Sequence, residues 1–197
     1  MKFIYLFFTL IAIFIVFQSF MSFNALKTEK QPYRLVFQDA DLEIRFYPSA
    51  TMATIYSRAT NYSGIANNGF SKLAKFIFGG NEQKESISMT SPVRMSMSEK
   101  GSSMSFVMPE KYSPKTLPTP NDKNIEIRKS DPEYVAVIKF GGYANDEKIL
   151  KFRNQLNAVL KKRQIPIKGE FTFLGYNAPF QFVGRTNEII IPIEWKE

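Results

Sequence analysis

Cysteine and histidine are both absent from the 197 residues, and tryptophan occurs once. Without a thiol there is no disulfide, no thiolate nucleophile and no cysteine to carry a lipid. Without an imidazole the commonest general base is gone, and zinc sites built from Cys and His go with it. The missing cysteine leaves the compartment open, because a thiol-free chain is tolerated in either redox environment. Clustered positive charge is scarce as well. The net charge is +8, yet Lys161-Lys162-Arg163 is the one basic run. A nucleic-acid binder gathers its cations on one face, so no nucleic-acid partner is expected.

Charge of either sign is also missing from residues 3–23, where residues 3–17 are apolar apart from Thr9. A helix needs about 20 such residues to cross a bilayer core. The competing reading is a cleaved secretory signal with Lys2 as its basic end. Phe and Met stand where small residues should precede a cleavage site, which favours an uncleaved anchor. The expectation is a single-pass membrane anchor over residues 1–23, with an extracytoplasmic globular part, or a secreted one were the segment cleaved. Lys2 on one side and Lys27, Lys30 and Arg34 on the other set the orientation only weakly. Residues 24–33 read as a polar tether ending at Pro32, and 34–197 as one domain.

Leu42-Glu43-Ile44-Arg45-Phe46 alternates apolar and charged, as a half-buried strand does. After Pro48, residues 50–56 read as a second strand. Between 62 and 78 the period becomes helical: Ile65, Gly69, Leu73 and Ile77 make one apolar face, with Phe70 and Ala74 beside it. Gly79-Gly80-Asn81 ends it. Ile87, Met89, Val93, Met95 and Met97 share one parity; beyond a turn at 98–102, Met104, Phe106 and Met108 continue the apolar face. Prolines crowd residues 109–124, an extended crossover. Strands at 125–127 and 134–140 lead to a second helix, capped by Asn145, acidic in its first turn and basic in its last. Strands at 171–175 and 189–195 close the chain. Strand–strand–helix–strand–strand thus occurs twice, which predicts an α+β domain of two halves sharing a sheet.

Several blocks carry a family likeness. Tyr47-Pro48, Gly69-Phe70 leading into Phe76-Ile77-Phe78-Gly79-Gly80-Asn81, and Met89-Thr90-Ser91-Pro92-Val93 resemble the first half of the SOUL/heme-binding-protein family. Phe106-Val107-Met108-Pro109 and Leu117-Pro118-Thr119-Pro120-Asn121-Asp122 are similar to its middle. Val135-Ala136-Val137, Phe140-Gly141-Gly142-Tyr143-Ala144, Gly175-Tyr176-Asn177 and Gly184-Arg185-Thr186-Asn187-Glu188 resemble its second half. The blocks run in order from about residue 33 to 195.

The resemblance implies a distorted antiparallel β-barrel with two flanking helices, built from a duplicated unit and related to small-molecule-sensing domains. It further implies non-enzymatic binding of haem or another tetrapyrrole, a ligand not required for folding. The binding surface it implies lies on the first helix of the domain: Ile65, Gly69, Phe70, Leu73 and Ile77, with Lys72 and Lys75 near enough to meet propionates. The chain departs from the family in having Ser91 for the usual Ala and Thr186 where a second Arg is common. It also has no His, through which some members ligate iron.

Bland readings compete with these. The methionines Met89, Met95, Met97, Met104 and Met108 read first as core filler and only then as pocket lining or an iron ligand. Gly69 admits either a flat ring or a strand at close range. Ser71 and Lys75 imitate a Ser–Lys dyad, but no oxyanion hole or nucleophile elbow accompanies them, so no enzyme is expected. With Tyr62 and Lys72 the nearest axial candidates, haem would be held reversibly and without strong ligation. The alternative is a module of this fold that binds another apolar small molecule and no haem.

Overall fold

The computed structural model describes residues 2–196, without the side chains of residues 2, 3 and 20–27. The first half comprises β2 (Glu43–Tyr47), β3 (Thr51–Ser57), α2 (Tyr62–Ile77), β4 (Val93–Ser98) and β5 (Gly101–Val107). The second comprises β6 (Ile125–Lys129), β7 (Glu133–Gly141), α3 (Asp146–Lys162), β8 (Thr172–Gly175) and β9 (Thr186–Pro192). Ahead of both lie α1 (Lys2–Lys27) and β1 (Arg34–Gln38). The strands form one sheet in the order β1-β2-β7-β9-β8-β4-β5-β3-β6. Each half contributes a trio, β3-β5-β4 or β7-β9-β8, and lends its first strand to the other: β2 pairs with β7, and β6 with β3. The trios join at β4–β8. The result is a curled, antiparallel half-barrel whose duplication is visible in the pairing itself.

Each helix forms where a cap and an apolar stripe coincide. The Asn61 side chain accepts from Gly64 N–H at the start of α2, and Asn145 does the same for Lys148 at the start of α3. α2 lays its stripe on β3 and β5, and α3 lies against β7 and β9. The two N-termini meet. One Asp146 oxygen accepts from Tyr62 N–H at 2.7 Å and the other from the Ser63 hydroxyl, so one carboxylate serves the positive ends of both helices. Met95, Met97, Met104 and Met108 are buried in the core between helices and sheet, and Met89 packs on its edge.

The outer face of the sheet departs from the simple alternation. Glu43 and Arg45 read as the solvated side of a half-buried strand, but both are buried, Arg45 at 1% exposure. Residues 29–33 cross this face and cover it. The Tyr33 ring lies 4.0 Å from the Arg45 guanidinium carbon. Gln31 N–H donates to Ser91 O, Ser91 N–H to Glu29 O, and Glu110 N–H to the Glu29 carboxylate, each at 2.8 Å. Removing residues 1–24 is therefore expected to leave a cooperative thermal transition within a few degrees of the full chain. Removing residues 1–33 should cost roughly 3 kcal/mol, about 1 kcal/mol for each of these three bonds. Urea unfolding of both truncations checks this.

One expectation is corrected here. Among the described residues no helix is long and apolar enough to cross a membrane, so the single-pass anchor over residues 3–23 does not stand. Described side chains in α1 cover residues 4–19. Phe3 and residues 20–23, also part of the expected span, lie outside the described side chains. The anchored location falls with the span, and the extracytoplasmic placement loses the anchor it rested on. α1 also touches the domain: Gln18 is buried, donating to Phe180 O and accepting from Phe182 N–H.

Candidate functional site

A cleft of about 420 Å³ opens over the central β4–β8 pair, between α2 and the segment after β8. Tyr62, Ala66 and Phe70 supply one wall. They recur every four residues, so they form a second helix stripe beside the one buried against the sheet. Val93 and Met95 of β4 and Phe173 of β8 point inward as the floor. Asn177, Pro179 and Arg185, with Tyr143 from the β7–α3 connection, make the far rim. Gly175 and Asn187 complete it at the strand ends.

The cleft is mostly apolar, with Asn67 and Ser71 on the α2 wall, and its rim carries one cation. Arg185 donates through one terminal nitrogen to Ala178 O at 2.6 Å and Gln181 O at 2.8 Å, which folds the rim segment around it. Its guanidinium carbon lies 4.2 Å from the Tyr143 ring centroid, within cation–π range. Its Nε is buried without a hydrogen-bond partner. Tyr143 in turn donates to Pro179 O at 2.9 Å, and Asn187 Nδ2 to Gly142 O at 2.8 Å, tying β7, β9 and the rim together. The Tyr62 ring stands edge-on to Phe173 at 5.3 Å. Burial pushes the Tyr62 phenol up, and the Arg185 charge only partly offsets this, so the hydroxyl keeps its proton at neutral pH. Among the described residues no cluster of three His, Cys, Asp or Glu could hold a metal ion.

Of the seven residues expected to contact a ligand, Phe70 lines this cleft. Ile65, Gly69, Leu73 and Ile77 are buried between α2 and the sheet. Lys72 and Lys75 lie further along α2, and Lys75 is exposed. Their charges reach Asp122, whose carboxyl is held below its usual range, first by the Asn124 backbone N–H, then by the Asn124 amide against a cost of burial, and last by these two lysines. Ser71 donates to Asn67 O of its own helix at 2.8 Å. Tyr143 and Arg185 were not singled out by pattern alone. The signal that could have found them was the blocks of family likeness. Gly69-Phe70, Pro92-Val93, Gly142-Tyr143, Gly175-Tyr176-Asn177 and Gly184-to-Glu188 are far apart in sequence, and each sends at least one residue to this cleft.

Residues 28–192 match the family described as SOUL heme-binding protein. A Mus musculus protein named heme-binding protein 2 is 28% identical over 172 residues, covering 81% of this chain and 82% of its own. Among solved structures, a hydrolase from Listeria innocua superposes with a TM-score of 0.57 at 7% identity, covering 80% of this chain and 94% of its own. The EcmrR C-terminal domain gives 0.56 at 11%, with coverages of 83% and 99%. At such identities the likeness shows the fold alone.

Proposed function

The chain belongs to the SOUL heme-binding protein family, and from that premise we propose that it binds haem or a related tetrapyrrole, reversibly and without catalysis, in the cleft between α2 and the β4–β8 pair. The observation that carries this reading is the convergence of five separated family blocks on one mostly apolar cleft with a single cation at its rim. The residues present fit such a ligand. Phe70, Val93, Met95 and Phe173 offer apolar surface to a ring face. The buried Arg185 Nε lacks an acceptor, and a propionate would supply one. The expected surface on Ile65, Gly69, Leu73 and Ile77 becomes the packing support of this site, with Phe70 the residue common to both.

When bound, haem supplies the iron; the chain supplies burial, one cation and no strong ligand. Tyr62 holds its proton, which disfavours a phenolate ligand, and Met95 is buried in the floor. Ring burial and one charge-assisted contact support affinity on the order of micromolar. Such affinity suits carriage or buffering.

Hemin titration followed by visible absorbance, run beside hemin dimethyl ester, tests the assignment. Arg185→Met is expected to weaken hemin about tenfold or more, the value of a charge-assisted bond, and to leave the ester within twofold. An equal loss for both ligands would show that Arg185 only shapes the rim. The ferric spectrum should be high-spin in the parent and unchanged in Met95→Leu; a low-spin spectrum that Met95→Leu abolishes would instead make Met95 the iron ligand.

A further inference from the structure

On the opposite face of the sheet lies a second cleft, of about 350 Å³, beneath the strap formed by residues 30–33. Side chains alternate across β9, so Asn187 faces the apolar cleft and Glu188 faces this one. Two of its lining residues, Gln31 and Ser91, are only 4% and 5% exposed, and each carries a side-chain atom without a partner: Gln31 Nε2 and Ser91 Oγ. The Gln31 amide is oriented by its surroundings. Arg94 donates to Gln31 Oε1 at 3.0 Å, which leaves the NH₂ group as the free end. Ser91 spends both main-chain groups on Glu29 and Gln31, so its hydroxyl alone is unassigned.

The carboxylates at this cleft are already occupied. Glu188 takes both terminal nitrogens of Arg45, at 2.8 and 2.9 Å, and also the Tyr176 hydroxyl at 2.7 Å. Lys139 is matched by Glu43 at 2.7 Å. Lys30 remains at the exposed rim, and the lining's Lys30, Arg45 and Lys139 stand against Glu188 and the adjoining Glu43. Donors are therefore in surplus and the charge balance is positive by about one. Two buried polar groups without partners carry a desolvation cost, which an acceptor reaching both would relieve.

We propose that this cleft is a second binding site, for a small monocarboxylate that accepts from Gln31 Nε2 and Ser91 Oγ beside the Lys30 charge. A single negative charge matches the surplus, and the volume admits an acid of a few carbons. The carboxylate comes either from a free acid or from the C-terminus of a peptide.

The test uses the full chain at constant ionic strength. Acetate and lactate are titrated against chloride, with thermal melting and the ¹⁵N resonances of the Gln31 side-chain amide as readouts. A saturable carboxylate response that shifts the Gln31 amide is expected. Gln31→Glu keeps an acceptor for Arg94 but replaces the free donor by a charged oxygen, and should weaken binding at least tenfold. Ser91→Ala keeps every main-chain bond and should weaken it about fivefold; it carries the test alone if the first variant fails to fold. A short peptide with a free C-terminus, compared with its amide, separates the two sources. Response to chloride equal to that with acetate, equal binding of peptide acid and amide, or affinities unchanged in both variants would overturn the proposal and leave the cleft to water. The hemin experiment reads the other face of the sheet, so either proposal can fail without the other.

Discussion

Arg45→Met is expected to lower stability by about 3–5 kcal/mol, the cost of leaving a buried charge without its partner. That is a large share of the roughly 5–15 kcal/mol that holds a domain of this kind. The guanidinium uses four of its five N–H donors: it donates to Glu43 at 2.5 Å, to the Tyr47 hydroxyl at 3.0 Å and to both oxygens of Glu188. Methionine fills much of the same space but leaves Glu188, 3% exposed, with only a tyrosine to donate to it.

The same network sets a pH dependence. Burial alone would raise the Glu43 carboxyl, but hydrogen bonds from Arg45 and then Lys139 more than reverse this, so it is held below its usual range. A depressed folded-state value means stability that is present above the unfolded value of about 4.3 and lost as pH falls through the folded one. Without Arg45 part of that depression disappears, so the variant's stability deficit should be largest at neutral pH and shrink as pH falls below about 4.3. Urea unfolding at pH 7 and an acid titration by circular dichroism read both effects. A loss under about 1 kcal/mol would show that the 29–33 strap stands off the sheet in solution and the network is solvated.

This network was the part of the fold least legible in the sequence. Glu43 and Arg45 alternate with Ile44 and Phe46, and alternation of charged and apolar residues means a solvated face unless something covers it. The cover comes from residues 29–33, a stretch with no periodicity whose polar composition reads as a tether. β1 went unread for the same reason, since its only sheet partner is β2. By contrast, α2 and α3 declared themselves through asparagine caps and stripes at helical spacing. The duplication was legible as a repeated order of elements, but the exchange of first strands between halves depends on long-range pairing that no local pattern encodes. In the candidate site, Phe70 was readable because it sits on the helix. Arg185 and Tyr143 were not, because loop residues acquire their positions only from the chain folded around them.

Gly69 brings the reading of the helix face to a decision. Its missing side chain admitted two explanations, a flat ligand or a close strand, and a Cβ built there would lie 3.3 Å from the Met104 side chain of β5 and 3.1 Å from Ile65. Both neighbours belong to the core. Gly69→Leu must drive three further carbons into that contact, and overpacking of this sort costs roughly 1–3 kcal/mol. The gain in helix propensity over glycine, about 0.8–1 kcal/mol at most, offsets part of it. Gly69→Ala is then near balance, because the flexible methionine end can move by the few tenths of an ångström required. The expected pattern is a clear drop in melting temperature for Gly69→Leu, a small change of either sign for Gly69→Ala, and hemin affinity per folded molecule within twofold of the parent for both. Phe70→Ala should do the reverse. Its ring packs edge-on to Phe106 at 5.4 Å and also walls the cleft, so hemin affinity should fall about tenfold while the fold survives. If Gly69→Leu abolishes hemin binding at unchanged stability, the ligand enters between α2 and the sheet, and the cleft beside Phe70 is the wrong site.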